Sequence, residues 1–209
     1  MYAHMEQVNS QPGPGTGGRD SADLTARVAG QHGLLGCINL QQLAGSAAVR
    51  LTLWDTENNA SEFMATRARF GAPAGAIYKV GEYEQGPAAA HAATHARLLY
   101  FDGPRTPEQV AAADFGGRHR VWPAIRELSG LVSVYLLRGH DLGSIVVTFA
   151  TSVDTLDTAQ RTVMATGLLP GEDRALLPGP DRIEIHNVTG YQVQAVGQSP
   201  RPSSSRRSA

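Results

Sequence analysis

The chain has 209 residues, 42% of them apolar, enough to fill one large core or two small ones. Its 18 Lys and Arg against 19 Asp and Glu leave a formal charge of -1, so no global field draws it onto nucleic acid or an anionic membrane. A single cysteine, Cys37, excludes an intrachain disulfide. The start MYAHMEQVNS lacks the basic and apolar regions of a signal peptide, and no apolar run reaches the roughly 18 to 20 residues that span a bilayer. The expectation is a reduced, cytoplasmic protein with neither a nucleic-acid nor a membrane partner.

In chain order, Tyr2 to Val8 reads as a strand, Gln11 to Gly18 as a Pro/Gly-rich stretch that resists packing, and Ser21 to Gln31 as a helix. Cys37 to Leu43 and Ala47 to Trp54 form a hairpin around Gly45-Ser46. The polar cluster Asp55-Thr56-Glu57-Asn58 then starts a helix through Phe63-Met64, and Ala76 to Tyr83 closes the block as a strand. Gln85 to Ala90 reads as linker, extending over residues 85–94. Arg97 to Phe101 is a short strand, and Thr106-Pro107-Glu108 opens a helix, with Thr as N-cap, that is interrupted at Gly116-Gly117 and ends near Leu128. Val134 to Leu137 and Ile145 to Thr151 make a second hairpin, Asp154-Thr155 starts a helix through Val163-Met164, and Arg182 to Val188 is the closing strand. The polar tail, Gln198 to Ala209, is expected to be disordered.

Internal repetition organises these elements. Gly33-Leu34-Leu35 is answered by Gly130-Leu131-Val132, and Gly45-Ser46 by Gly143-Ser144, at a nearly constant offset. The order is βαββαβ twice, over residues 1–84 and 95–197. It specifies an α+β fold of tandem ferredoxin-like repeats, each an antiparallel sheet with both helices on one face. Packing the uncovered faces together makes a fused dimeric α/β-barrel, a pseudo-dimer within one chain that leaves homodimerisation open. Aligned on the turn glycines, Trp54 corresponds to Ser152 and Arg50 to Thr148. The halves have diverged, so one pocket is expected, in the first half.

Two stretches carry a family resemblance. Arg120-Val121-Trp122-Pro123-Ala124-Ile125-Arg126-Glu127-Leu128-Ser129-Gly130-Leu131-Val132, followed by Tyr135-Leu136-Leu137-Arg138, is similar to the helix and small-Gly-hydrophobic turn of the antibiotic biosynthesis monooxygenase superfamily. Ala48-Val49-Arg50-Leu51-Thr52-Leu53-Trp54-Asp55 resembles its strand ending in tryptophan before the second helix. The resemblance covers roughly residues 2 to 195, and duplicated members include tailoring oxygenases that open a ring of angucycline-type polyketides. It implies oxidation, or oxidative ring opening, of a phenolic or hydroquinone polycyclic aromatic polyketide in antibiotic biosynthesis. Dioxygen would be co-substrate, with no tightly bound cofactor and reduced flavin as an optional diffusible reductant. The alternative is a non-catalytic ligand-binding or stress-response barrel. In the anthrone oxygenases an asparagine four residues before the tryptophan helps handle substrate; here that position holds Arg50. The Asn, Trp and His of haem-degrading members are not assembled convincingly, although Asn39, Trp54 and His32 exist.

Oxygenation without a metal needs a substrate that ionises to an electron-rich anion, an apolar aromatic-lined cavity, a base, and a cation or donor for the oxyanion. Trp54 and Arg50, four apart on a strand, share a face and offer an indole and a guanidinium; the plainer alternatives are a core tryptophan and a solvent-facing arginine. Asn39 is a candidate donor to the same cavity or an ordinary sheet-edge amide. Trp54, Arg50 and Asn39 are the candidate catalytic residues, and Tyr78, Tyr135 and His32 the candidate substrate-binding ones. Tyr78 and Tyr83, an odd number apart, are expected to face opposite sides. No metal site is expected: His91 and His95 are four apart but lack a carboxylate in register. Gly13, Gly15 and Gly18 match G-x-G-x-x-G, but the next two strands form a hairpin, which argues against a dinucleotide fold.

Overall fold

The computed structural model describes residues 1–9, 31–72 and 75–194. All but the last residue of the expected Ser21 to Gln31 helix, together with the Pro/Gly-rich stretch and the C-terminal tail, lie outside the described residues. The strands are β1 (Tyr2–Asn9), β2 (Leu34–Gln42), β3 (Ala47–Trp54), β4 (Ala76–Gln85), β5 (His95–Phe101), β6 (Leu131–Arg138), β7 (Ser144–Ala150) and β8 (Arg182–Val193). The helices are α1 (Glu57–Arg69), α2 (Pro107–Gly116), α3 (Trp122–Ile125) and α4 (Val153–Ala165). A π-helical turn, Gly117–Val121, joins α2 to α3 at the interruption expected from the glycine pair. Among these helices none is long and apolar enough to cross a membrane.

All eight strands pair antiparallel in one closed barrel of order β1-β3-β2-β8-β5-β7-β6-β4. Each half contributes the order expected of a βαββαβ sheet, β4-β1-β3-β2 and β8-β5-β7-β6. The halves do more than stack face to face. Their edges hydrogen-bond, β2 to β8 and β4 to β6, which removes every free strand edge.

Alternation along the strands builds the interior. Ile38 and Leu40, Leu51 and Leu53, Leu98, Tyr135, Val147 and Phe149 belong to one buried cluster inside the barrel. The outer face of the first half is covered by α1, through Ala60 and Phe63 against Trp54, and that of the second half by α3 and α4, through Ile125 and Ala159 against Leu131. The segment expected to be a loose linker packs: the Gly86 and Ala88 amides donate to the Val132 and Leu131 carbonyls, and Ala88 and Ala93 are buried in the barrel cluster. Ala89, Ala90 and Ala92 stay exposed, so two alanines of the stretch carry its packing.

The helix starts follow side-chain chemistry. Thr56 caps α1 by accepting from the Asn59 amide at 3.2 Å, Ser152 caps α4 by accepting from the Thr155 amide at 3.1 Å, and Thr106 and Gln109 form a capping box on α2. Ahead of β2, Gly33 adopts φ +78, and its carbonyl accepts from the Asp55 amide at 2.9 Å, tying the start of β2 to the end of β3.

Candidate functional site

The outer face of the first half is polar where an ordinary helix-covered sheet would be apolar. On β1, Ala3 and Met5 turn into the barrel and His4 and Glu6 turn out; on β3, Val49, Leu51 and Leu53 turn in and Arg50, Thr52 and Trp54 turn out. Strand register lines these up in rows: Glu6 opposite Arg50 opposite Asn39, His4 opposite Thr52 opposite Cys37, and Tyr2 opposite Trp54. The sequence-derived candidates Trp54, Arg50 and Asn39 are therefore brought together on one face, all buried.

Glu6 is the hub. Its Oε1 accepts from Arg50 Nη1 at 2.9 Å and from Arg67 Nη2, reaching down from α1, also at 2.9 Å. Arg50 Nε donates to Asn39 Oδ1 at 3.1 Å. Two guanidiniums thus share one carboxylate, leaving one formal positive charge in excess beneath the helix. The Trp54 indole donates to Thr52 Oγ1 at 2.9 Å and its ring meets Phe63 at 5.0 Å, while His4 contacts Phe63 edge-on at 5.7 Å. Among the described residues, four buried polar atoms of this one cluster have no partner: both ring nitrogens of His4, Glu6 Oε2 and Arg67 Nε. A buried polar atom left unsatisfied costs about 1 to 3 kcal/mol, so together they are a standing charge against stability that a polar ligand would relieve.

Burial holds the His4 imidazole below the usual histidine pKa; the nearby Glu6 carboxylate works the other way, and Arg67 and Arg50 add to the depression. It is therefore neutral at physiological pH. The Cys37 thiol is pushed up by burial, which keeps it protonated and unreactive.

His4, Glu6, Arg67 and Phe63 were not singled out in the sequence, although two signals pointed to them. His4 and Glu6 are polar residues alternating with Ala3 and Met5 on a predicted strand, and Phe63 and Arg67 are four apart on a predicted helix, hence on one face.

Topologically equivalent positions of the second half carry a different chemistry. The Asp55-to-Gly33 bond that ties β3 to β2 recurs as the Thr151 amide donating to the Gly130 carbonyl at 3.0 Å, and the cap Thr56 recurs as Ser152. Counted from these anchors, the counterpart of Trp54 is Ala150, not Ser152, and that of Arg50 is Val146, not Thr148. The turn glycines misled the alignment because the hairpin turns differ in length. Leu136 pairs with Val146 as Asn39 pairs with Arg50, and Leu99 stands where Glu6 does. The counterpart of His4 is Arg97, whose Nη1 donates to the Leu156 carbonyl at 3.0 Å.

The remaining candidates lie elsewhere. Tyr135 is fully buried inside the barrel, 4.6 Å from the Tyr83 ring and 5.8 Å from Phe149, with burial pushing its phenol pKa up. His32 is exposed on the turn before β2. Tyr78 and Tyr83 do not face opposite sides as alternation predicts: the register shift between Val80 and Glu82 inserts an extra residue, so both pack against the barrel cluster. Tyr78 lines a cavity of about 350 Å³ at the barrel end where β5 finishes and β8 begins, within the size range of small-molecule sites. Tyr100, with the Arg182 guanidinium 3.8 Å above its ring, forms one wall. Glu6 and Gly75 form another, and Gly75 backs directly onto the cluster: a Cβ there would lie 2.2 Å from His4 Nε2. Among the described residues no group of three His, Cys, Asp or Glu is placed to hold a metal ion.

No family model matches the chain, and neither does any curated protein. Solved structures share its fold. An anthrone oxidase-like protein superposes with TM-score 0.59 at 14% identity, covering 92% of each chain. A ferredoxin-fold protein related to antibiotic biosynthesis monooxygenases, from Listeria monocytogenes, gives 0.51 at 11% identity over 90% of this chain and 95% of its own. A heme-degrading enzyme from the same organism gives 0.50 at 11% identity over 90% and 99%. At these identities the likeness establishes an α+β fold with ferredoxin-like neighbours.

Proposed function

We propose that the protein is an oxygenase of hydroxylated polycyclic aromatic compounds, of the polyketide type, built from two fused copies of the antibiotic biosynthesis monooxygenase unit, with its active site in the first copy. The observation that carries this reading is the Arg50–Glu6–Arg67 cluster beside Trp54, with Arg50 and Glu6 buried and Arg67 part-buried, its excess positive charge, and polar atoms unpartnered among the described residues. Such a site favours an anion beside a flat indole. An ionised phenol or hydroquinone, or an anthrone in its phenolic tautomer, is an anion of that kind, and it is electron-rich enough to react with dioxygen directly. For an anthrone-type ring the balance is one dioxygen consumed per methylene: one oxygen atom becomes the new carbonyl, and the other leaves as water with the two hydrogens. The guanidiniums stabilise the anion from which the electrons leave, and the ring packs on the indole. The fold shared with an anthrone oxidase-like protein supports the same reading.

Dioxygen is the co-substrate in this scheme, and the ionised substrate is itself the reductant, with no tightly held cofactor. The test is incubation with an anthrone or a reduced angucycline in labelled dioxygen, with and without reduced flavin, and under nitrogen. Label in the product without flavin supports the scheme, label only with flavin assigns the electrons to a diffusible reductant, and no label in any arm leaves a ligand-binding barrel.

A further inference from the structure

We propose that His4 is the general base of this site, taking the proton from the hydroxyl of a phenolic ligand while Arg50 and Arg67 hold the resulting oxyanion. The inference rests on the first-half site assigned above. His4 is 1% exposed, yet among the described residues neither ring nitrogen has a hydrogen-bond partner. It is opposite Thr52 in register and one row from the Glu6–Arg50 pair, with Phe63 edge-on against its ring. A buried histidine kept for structure alone spends its N–H on a carbonyl or carboxylate, which fixes its tautomer. This one keeps both a donor and a lone pair unspent, which is what a ligand hydroxyl requires.

The groups that face it set its charge. Glu6 and Tyr2 flank it on β1, Arg50 approaches from β3 and Arg67 from α1, and the Cys37 thiol lies in the same row on β2; β4 offers only Ile77 opposite and the backbone of Gly75. Burial and two guanidiniums against one carboxylate keep the imidazole neutral, the form able to accept a proton. The step is a simple proton transfer: the ligand O–H bond breaks, the proton passes to an imidazole nitrogen, and the electron pair stays on the ligand oxygen. Glu6 and Gly75 line the cavity at the barrel end, and Gly75 lies directly against the His4 ring on the other side.

The probe is 4-nitrophenol, whose phenolate absorbs in the visible and whose neutral form does not. At about pH 6, where the free phenol is mainly protonated, the wild-type chain should bind it as phenolate. His4→Gln should lose that band about tenfold, the equivalent of a one-unit shift in the bound ligand's pKa. His4→Phe guards against misfolding: an apolar ring beside Phe63 removes the two unpartnered nitrogens, so it should melt at or above the wild-type temperature while losing the band. A purely structural histidine predicts the reverse, lower stability with the band retained. A full phenolate band in His4→Gln, or none in the wild type, overturns the assignment. The oxygenase reading fails separately: a His4-dependent phenolate band with no oxygen incorporated into any substrate keeps the base and sinks the reaction, whereas oxygenation undiminished in His4→Phe does the opposite.

Discussion

Arg50→Met tests the charge cluster most directly, because it keeps most of the side-chain volume and deletes only the guanidinium. In the native chain Arg50 donates to Glu6 at 2.9 Å and to Asn39 at 3.1 Å with 4% of its side chain exposed. Removing one member of a buried pair costs about 3 to 5 kcal/mol, chiefly through the charge left behind. Here Arg67 still holds Glu6, so the lower end applies, about 3 kcal/mol. At about 2 to 4 °C per kcal/mol for a chain of this size, the melting temperature should fall by about 6 to 12 °C. Adding Glu6→Gln strands Arg67, so the double variant should melt no higher than Arg50→Met, yet lose less than the sum of the two single variants. Turnover in Arg50→Met should fall about 30- to 1000-fold, the worth of one charge-assisted donor to a developing oxyanion. Thermal melts of the single and double variants, with labelled-oxygen turnover, read all three quantities. An Arg50→Met melt within about 2 °C of wild type, or losses that simply add in the double variant, would refute coupling through Glu6.

Three further outcomes follow from the geometry. Ser152→Ala should destabilise by about 1 kcal/mol as a lost helix cap, and Thr148→Ala, on the second-half sheet, should not slow turnover; a large turnover loss in either would move the site to the second half. The unfolded chain binds a proton at His4 more readily than the folded one, so stability should be fully present above the unfolded histidine pKa of about 6.5 and fall as pH drops below it, by up to about 1.4 kcal/mol per pH unit. Urea titrations at several pH values check this slope, which His4→Phe should flatten. Gly75→Ala should drive a methyl into His4 Nε2 and cost about 1 to 3 kcal/mol together with phenol binding; unchanged 4-nitrophenol affinity would show that the imidazole has room to move away.

Strand identity and order were legible because alternation and turn chemistry are local signals. Both hairpins, the Thr56 and Thr106 caps and the antiparallel sheet are visible in the residues themselves. What escaped were features set by one residue of register or by distant pairing. The bulge between Val80 and Glu82 inverts the face of Tyr83, and nothing in Val80-Gly81-Glu82 distinguishes a bulge from a regular glycine. The paired turn glycines suggested an offset that the helix caps overrule, since turns absorb length changes that strands in register cannot. Trp54 and Arg50 were found because both lie on one strand. Glu6 and His4 come into the site through β1–β3 pairing and Arg67 through helix packing, and a single sequence does not display either.

The asymmetry between the halves bears most on function. Both halves lay four antiparallel strands in the same order and cover the outer face with helix, so the architecture places the same structural demands on each. In the rows of Arg50 and Trp54 the second half meets them with Val146, Leu136, Leu99 and Ala150, side chains without polar obligations; in the row of His4 it buries Arg97, whose Nε has no partner among the described residues. At the matching positions the first half buries Arg50, Asn39, Glu6 and Trp54, recruits Arg67 from α1, and leaves polar atoms unpartnered. A charged cluster that one half of a fold does without is not required by that fold. On the reading proposed above, an ionisable aromatic hydroxyl entering beside the indole and the imidazole would offset its cost in desolvation and unmade hydrogen bonds.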